Sequence, residues 1–133
     1  MKTFLLLLAL CLSCSATPFD QFCSALGKVE SGENPRALNS KERAIGIYQI
    51  RPAYFKDAKE FDKSLSTYSH KDCYDPAVAK MVVHAYLERY ARHALSSGDF
   101  ETLARLHNAG PGWAHKKSAT NNYWEKIKKN LTP

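Results

Sequence analysis

The apolar positions Phe19, Phe22, Cys23, Leu26 and Val29 recur at helical spacing and stop near Gly32, which predicts a core-facing helix closed by a glycine cap. Asn34-Pro35 and the polar run from Asn39 to Arg43 then read as loops. From Ala44 to Ile50 the pattern changes to a short extended piece, with Gly46 at a close approach and Pro52 marking its end. Asp75 caps and Pro76 opens the longest helical pattern, whose inner stripe is Val78, Met81, Val82, Ala85, Tyr86 and Tyr90. Asp99 caps a further helix carrying Phe100, Leu103, Ala104 and Leu106, which stops at Asn108-Ala109-Gly110-Pro111-Gly112. Thr120 caps the last one, with Tyr123, Trp124, Ile127 and Leu131 inward. The expected class is mainly α, with a small extended or β element near Gly46.

The first sixteen residues follow another rule. Lys2, an apolar run from Phe4 to Leu12 and the small residues Ser13, Ser15 and Ala16 read as a secretory signal peptide cleaved after Ala16. The run is too short to span a bilayer, and no later stretch approaches the ~20 apolar residues of a membrane helix. The 117 residues from Thr17 to Pro133 suit one domain with one core, since no linker, repeat or low-complexity tract divides them. The expected product is a secreted monomer, extracellular or delivered to a digestive compartment, without cofactor and without stable membrane insertion.

Cleavage removes Cys11 and Cys14 and leaves Cys23 and Cys73 in an oxidising compartment, where a disulfide between them is expected. Closing a loop of ~50 residues contributes ~4 kcal/mol in the chain-entropy picture. A nucleophilic thiol paired with a histidine is the competing reading and lacks a local signature. His70 and Cys73 have ligand-like spacing, but no second pair follows, and no metal site is expected. Losing Lys2 with the leader takes the formal charge from +6 to +5, which points to an anionic partner. The absence of an aromatic and basic stripe argues against nucleic acid. Asn130-Leu131-Thr132 fits the N-glycosylation pattern.

Glu30 is the most informative acid. It falls at the end of the first helix and at the edge of its apolar stripe, so its carboxyl is expected to be half buried. Loss of hydration and the negative end of the helix dipole both favour the neutral form. Raising an ordinary Glu from ~4.3 to ~6 takes ~2.3 kcal/mol, of which the dipole supplies only ~0.3–1 kcal/mol, so desolvation must carry most of the shift. A neutral carboxyl of this kind is a proton donor suited to glycosidic oxygen; the bland alternative is a solvated helical Glu.

The blocks VESGENPRAL, AIGIYQIRPAYF, LARLHNAGPG and SATNNYWEKIKK resemble, in order and spacing, the lysozyme-like superfamily of goose-type lysozymes and soluble lytic transglycosylases. The ending HNAGPGW…SATNNYWEKI is also similar to that of invertebrate-type lysozymes, a cysteine-rich family, and STYSHKDCYDPAVAKMVVHAYLERY is similar to small bacterial transglycosylase-like domains. The resemblance spans about Phe22 to Leu131. It implies an α-rich fold with a groove for the glycan strand of peptidoglycan and a single general acid, matched by Glu30, acting between N-acetylmuramic acid and N-acetylglucosamine.

It also implies roles for other positions. Ser31 matches a substrate-touching serine, or is a helix-end hydroxyl satisfying backbone. Gln49 matches a glycan-lining Gln, Tyr48 stacks on sugar or belongs to the core, and Asn108 holds sugar or simply ends a helix. His107 is a candidate groove residue, and Tyr123 matches a tyrosine that approaches the acid. The second carboxylate that hydrolysis with retention or inversion would use is less defined. Counting back from Gly46 lands on Asn39, which cannot ionise, and Glu42 is the nearest acid, with Glu33 and Asp57 weaker candidates. The expected function is a muramidase used in defence or in digesting bacteria. The alternatives are a lytic transglycosylase and a non-catalytic cationic protein that binds bacterial surfaces.

Overall fold

A computed structural model describes residues 14–131, so most of the expected leader, Met1 to Ser13, and Thr132 of the glycosylation pattern lie outside the described residues. Helix α1 (Pro18–Ser31) starts at Thr17, whose hydroxyl accepts from the Asp20 amide while the Asp20 carboxylate accepts from the Thr17 amide. It ends, as its apolar pattern predicts, at Gly32 in the left-handed region with φ 61°. A two-residue hairpin follows, β1 (Leu38–Asn39) antiparallel to β2 (Ala44–Ile45), with Leu38 opposite Ile45 and Asn39 opposite Ala44. Four more helices complete the order: α2 (Pro52–Phe61), α3 (Pro76–Ser97), α4 (Phe100–Ala109) and α5 (Asn121–Asn130). The architecture is mainly α with one small β element, as the periodicity predicts.

The core forms where α1, α3, α4 and α5 meet, with Phe22, Leu26, Val82, Val83, Leu87, Leu103, Leu106 and Ile127 fully enclosed. Helix α2 packs on α3 through Tyr54, Phe55 and Ala58. The sequence pattern gives Pro52 only as the end of the extended piece; it stands at the start of α2, where its missing N–H costs nothing. Asp75 and Asp99 cap α3 and α4 through their carboxylates. Thr120 precedes α5 without capping it, its hydroxyl donating to the Lys117 carbonyl in a 3-10 turn over Trp113–Thr120. Met81 and Tyr90, expected inward, are 40% and 36% exposed. The backbone of α3 leaves helical geometry at Ala91, and the Tyr90 hydroxyl donates outward to Asp57.

The expected Cys23–Cys73 disulfide is absent, since each cysteine is a separate buried thiol. Parity and compartment assigned the pair without knowing what each thiol faces. Cys23 lies beside the Tyr48 hydroxyl, and the Cys73 carbonyl packs against Gly46. Burial pushes both thiols up to about 12, leaving them protonated and weakly nucleophilic.

Candidate active site

The end of α1 is fixed to the hairpin by Ser31. Its hydroxyl lies 2.8 Å from the Ile47 carbonyl and 3.2 Å from the Gly27 carbonyl, and accepts from the Asn34 amide at 3.0 Å. Ser31 thus serves backbone on both sides of the turn and holds the preceding residue, Glu30, beside the hairpin. Just after β2, Gly46 lets the chain lie against the turn that holds Cys73. Its φ is 78°, and a Cβ there would stand 2.2 Å from the Cys73 carbonyl oxygen.

Gln49 also has positive φ, 52°. Its Nε2 donates to the carbonyls of Gly46 at 3.0 Å and Ala37 at 3.3 Å, which leaves Oε1 as the acceptor it can offer outward. Asn39 Oδ1 accepts from the Glu42 amide at 3.3 Å and so shapes the hairpin turn that carries Glu42.

These pieces enclose a polar groove of about 210 Å³ lined by Glu30, Asn39, Glu42, Gln49, Arg51, Tyr54, His107 and Asn108. Five of the site residues expected from sequence therefore meet there: Glu30, Glu42, Gln49, His107 and Asn108. Tyr123 is not in the lining but donates its hydroxyl to Glu30 Oε1 at 2.8 Å. Tyr48 turns into the core, and Ser31 lies behind the wall. Sequence reading missed Arg51 and Tyr54, whose one available signal was the Tyr54, Phe55, Ala58 spacing of the helix that Arg51 precedes.

Burial pushes the Glu30 carboxyl up to about 7. The Tyr123 hydroxyl and the Arg51 cation pull it back down, while the Glu42 charge adds a smaller upward push. At neutral pH a large fraction of Glu30 molecules therefore carries a proton that can be given away. His107 is the opposite case, since burial holds its imidazole down at about 4 and hence neutral. A carbonyl can only accept, so its Nε2–H donates to the Tyr48 carbonyl at 3.2 Å and Nδ1 accepts from the Tyr54 hydroxyl at 2.9 Å. Tyr54 is in turn stacked on Tyr86, with ring centroids 3.6 Å apart. His107 is thus a wall element with both nitrogens occupied. Among the described residues no group of three or more His, Cys, Asp or Glu side chains is arranged to hold a metal ion, and His70 Nε2 is bonded to the Ile50 carbonyl at 2.7 Å.

The α-rich fold thus carries a half-buried carboxyl, raised to about 7, in a polar groove. The Destabilase family model matches residues 10–130, and the chain belongs to that family. It is 35% identical over 110 residues to invertebrate-type lysozyme 6 of Caenorhabditis elegans, covering 76% of this chain and 78% of that protein. A lysozyme of Magallana gigas is 29% identical over 116 residues, 86% of this chain and 81% of its own. A lysozyme of Meretrix lusoria is 32% identical over 109 residues, 80% and 84% respectively. The protein is a glycoside hydrolase of the lysozyme-like superfamily.

Proposed function

We propose that the protein is a secreted muramidase that cleaves the β-1,4 bond between N-acetylmuramic acid and N-acetylglucosamine in bacterial peptidoglycan. The observation that carries this reading is the Glu30 carboxyl, half buried, lifted to about 7 and aimed by Tyr123 at a polar groove. Glu30 gives its proton to the glycosidic oxygen as the sugar ring flattens and positive charge grows on the anomeric carbon. Glu42, the other acid of the groove, serves as second carboxylate, stabilising that charge and directing the attacking water. Gln49 Oε1 and Asn108 bind the sugar, while Ser31, Tyr48, His107 and Tyr123 hold the site's shape. Residues 17–133 act as one catalytic domain released by removal of residues 1–16.

One observation favours a second reading. Asn39, which lines the groove where sequence counting seeks an acid, cannot ionise. Should Glu42 not take its place, the muramic acid 6-hydroxyl attacks instead and leaves an anhydro product. Mass spectrometry of the soluble products from peptidoglycan, made with Thr17–Pro133 and with Glu30→Gln, separates the cases. Reducing-end muropeptides from the unaltered protein alone establish the muramidase. Products lighter by one water establish the transglycosylase, and no products from either protein leave a cationic surface-binding protein.

A further inference from the structure

Arg105 is a buried cation that the catalytic scheme does not use. It is 4% exposed, on the face of α4 turned toward α5. Its Nε and Nη2 donate to Glu101 Oε1 at 3.1 and 2.8 Å, one turn back on the same helix. Its Nη1 is shared among three acceptors in the 3-10 turn and the start of α5 that follows it: the Lys117 carbonyl at 2.9 Å, Thr120 Oγ1 at 2.7 Å and Asn121 Oδ1 at 2.9 Å.

Burying a guanidinium is expensive, and an apolar contact between two helices would serve packing as well. What the fork adds is a fixed position. Thr120 provides no side-chain cap to α5, and Arg105 donates to Thr120 and Asn121 where that helix begins. Two residues after Asn121 comes Tyr123, whose hydroxyl reaches Glu30. Two and three residues after Arg105 come His107 and Asn108, which line the groove.

We infer that Arg105 is a positioning residue of the active site: by tying the start of α5 to the groove-lining end of α4, it sets where the Tyr123 hydroxyl meets Glu30. The link to turnover rests on Glu30 being the acid, whereas the geometric claim does not. Around Glu30 the charged and titratable groups are Tyr123 on α5, His107 on α4, which burial keeps neutral, Arg51 and Tyr54 at the start of α2, and Glu42 on the hairpin turn. Only Tyr123 belongs to the element that Arg105 holds.

The test is an NMR titration of the Glu30 carboxyl, with melting temperature and the pH profile of kcat/KM, in Arg105→Lys, Tyr123→Phe, the double variant and Asn121→Ala. Lysine keeps the charge but cannot span the acceptors on both helices. Asn121→Ala removes one exposed arm of the link and leaves Arg105 with Glu101, so it keeps the question open to measurement should Arg105→Lys not fold. Losing the Tyr123 donor raises the Glu30 titration by about one pH unit. Arg105→Lys moves it in the same direction, Asn121→Ala does so to a smaller degree, and the double variant goes no further than Tyr123→Phe. An unmoved titration in Arg105→Lys and Asn121→Ala, with only the melting temperature lowered, makes the link purely structural and overturns the inference. Additive shifts in the double variant overturn it too, because Arg105 then acts by another route. Full turnover by Glu30→Gln sinks the acid assignment separately, since the carboxyl titration is read without activity.

Discussion

The Tyr123 hydroxyl and Glu30 Oε1 are 2.8 Å apart although 93 positions separate the residues in the chain. The bond joins the last helix to the end of the first, and its sign opposes that of burial. Burial favours the protonated acid and Tyr123 favours the carboxylate, with burial the larger effect, so the acid rests at about 7. Such a balance lets one group be protonated before bond cleavage and deprotonated after it.

Removing the acid tests both its chemistry and its cost. Glu30→Gln keeps a hydrogen-bond acceptor for Tyr123 and loses the proton, so kcat falls by about 10²–10⁴-fold. Stability moves the other way. A carboxyl raised from 4.5 to about 7 contributes stability that is complete below about 4.5 and is lost as pH rises through about 7. At pH 8 the native protein bears the full cost of a buried carboxylate, on the order of 3 kcal/mol, and the amide escapes it. Urea midpoints of the two proteins converge near pH 4 and separate at pH 8 in favour of Glu30→Gln. Equal midpoints at both values sink the perturbed-acid account.

Arg51 offers a finer control on the same group. Its cation lowers the Glu30 carboxyl, so Arg51→Gln moves the upper limb of the kcat/KM profile to higher pH by about half a unit. Salt screens an exposed charge, so the difference between the two proteins shrinks as ionic strength rises. A limb that moves downward contradicts the assigned sign.

Gly46 was legible in the sequence as a close approach, and what approaches is now defined. A methyl group there meets the Cys73 carbonyl at 2.2 Å, and φ of 78° strains any residue with a Cβ. Gly46→Ala therefore costs more than about 3 kcal/mol, combining left-handed strain with displaced backbone. Denaturant midpoints measure this. A loss below 1 kcal/mol would mean that the hairpin slides freely over the turn containing Cys73.

How much of this was readable in advance depends on the range of each interaction. Phe22, Leu26 and Gly32 declare α1 and its end because periodicity and a left-handed cap are local. Glu30 was readable because its place on that helix nearly determines its burial. Tyr48 and His107 were not, since each could face sugar or core equally well, and the choice depends on contacts with Cys23, Tyr54 and residues far along the chain. Arg51 and Tyr54 are not legible because Pro52 reads as the end of the extended piece and in the structure opens α2. Cysteine parity is a count with no geometry in it, and the structure has Cys23 and Cys73 as separate thiols.

The thiols give a direct check. Buried Cys23 and Cys73 in Thr17–Pro133 resist alkylation in the native state and both react once the chain is unfolded without reductant. Two labels per unfolded chain agree with separate thiols, whereas none would restore the disulfide.

Burial of His107 bears on the acid side of stability, and Tyr54 is the partner that tests it. A histidine lowered from 6.5 to about 4 contributes stability that is complete above about 6.5 and lost as pH falls through about 4. Tyr54→Phe keeps the ring on Tyr86 and deletes the donor to Nδ1, leaving a buried acceptor unsatisfied at a cost of about 1–3 kcal/mol near pH 7. With Nδ1 free, the folded imidazole takes up a proton more readily, and its value rises toward the unfolded one. The variant then loses less on acidification than the unaltered protein. Urea midpoints at pH 7 and pH 4.5 are expected to lie further apart for the unaltered protein than for Tyr54→Phe. A gap between the two proteins that is the same at both pH values would show that the Tyr54 hydroxyl does not help keep His107 neutral and that burial does so alone.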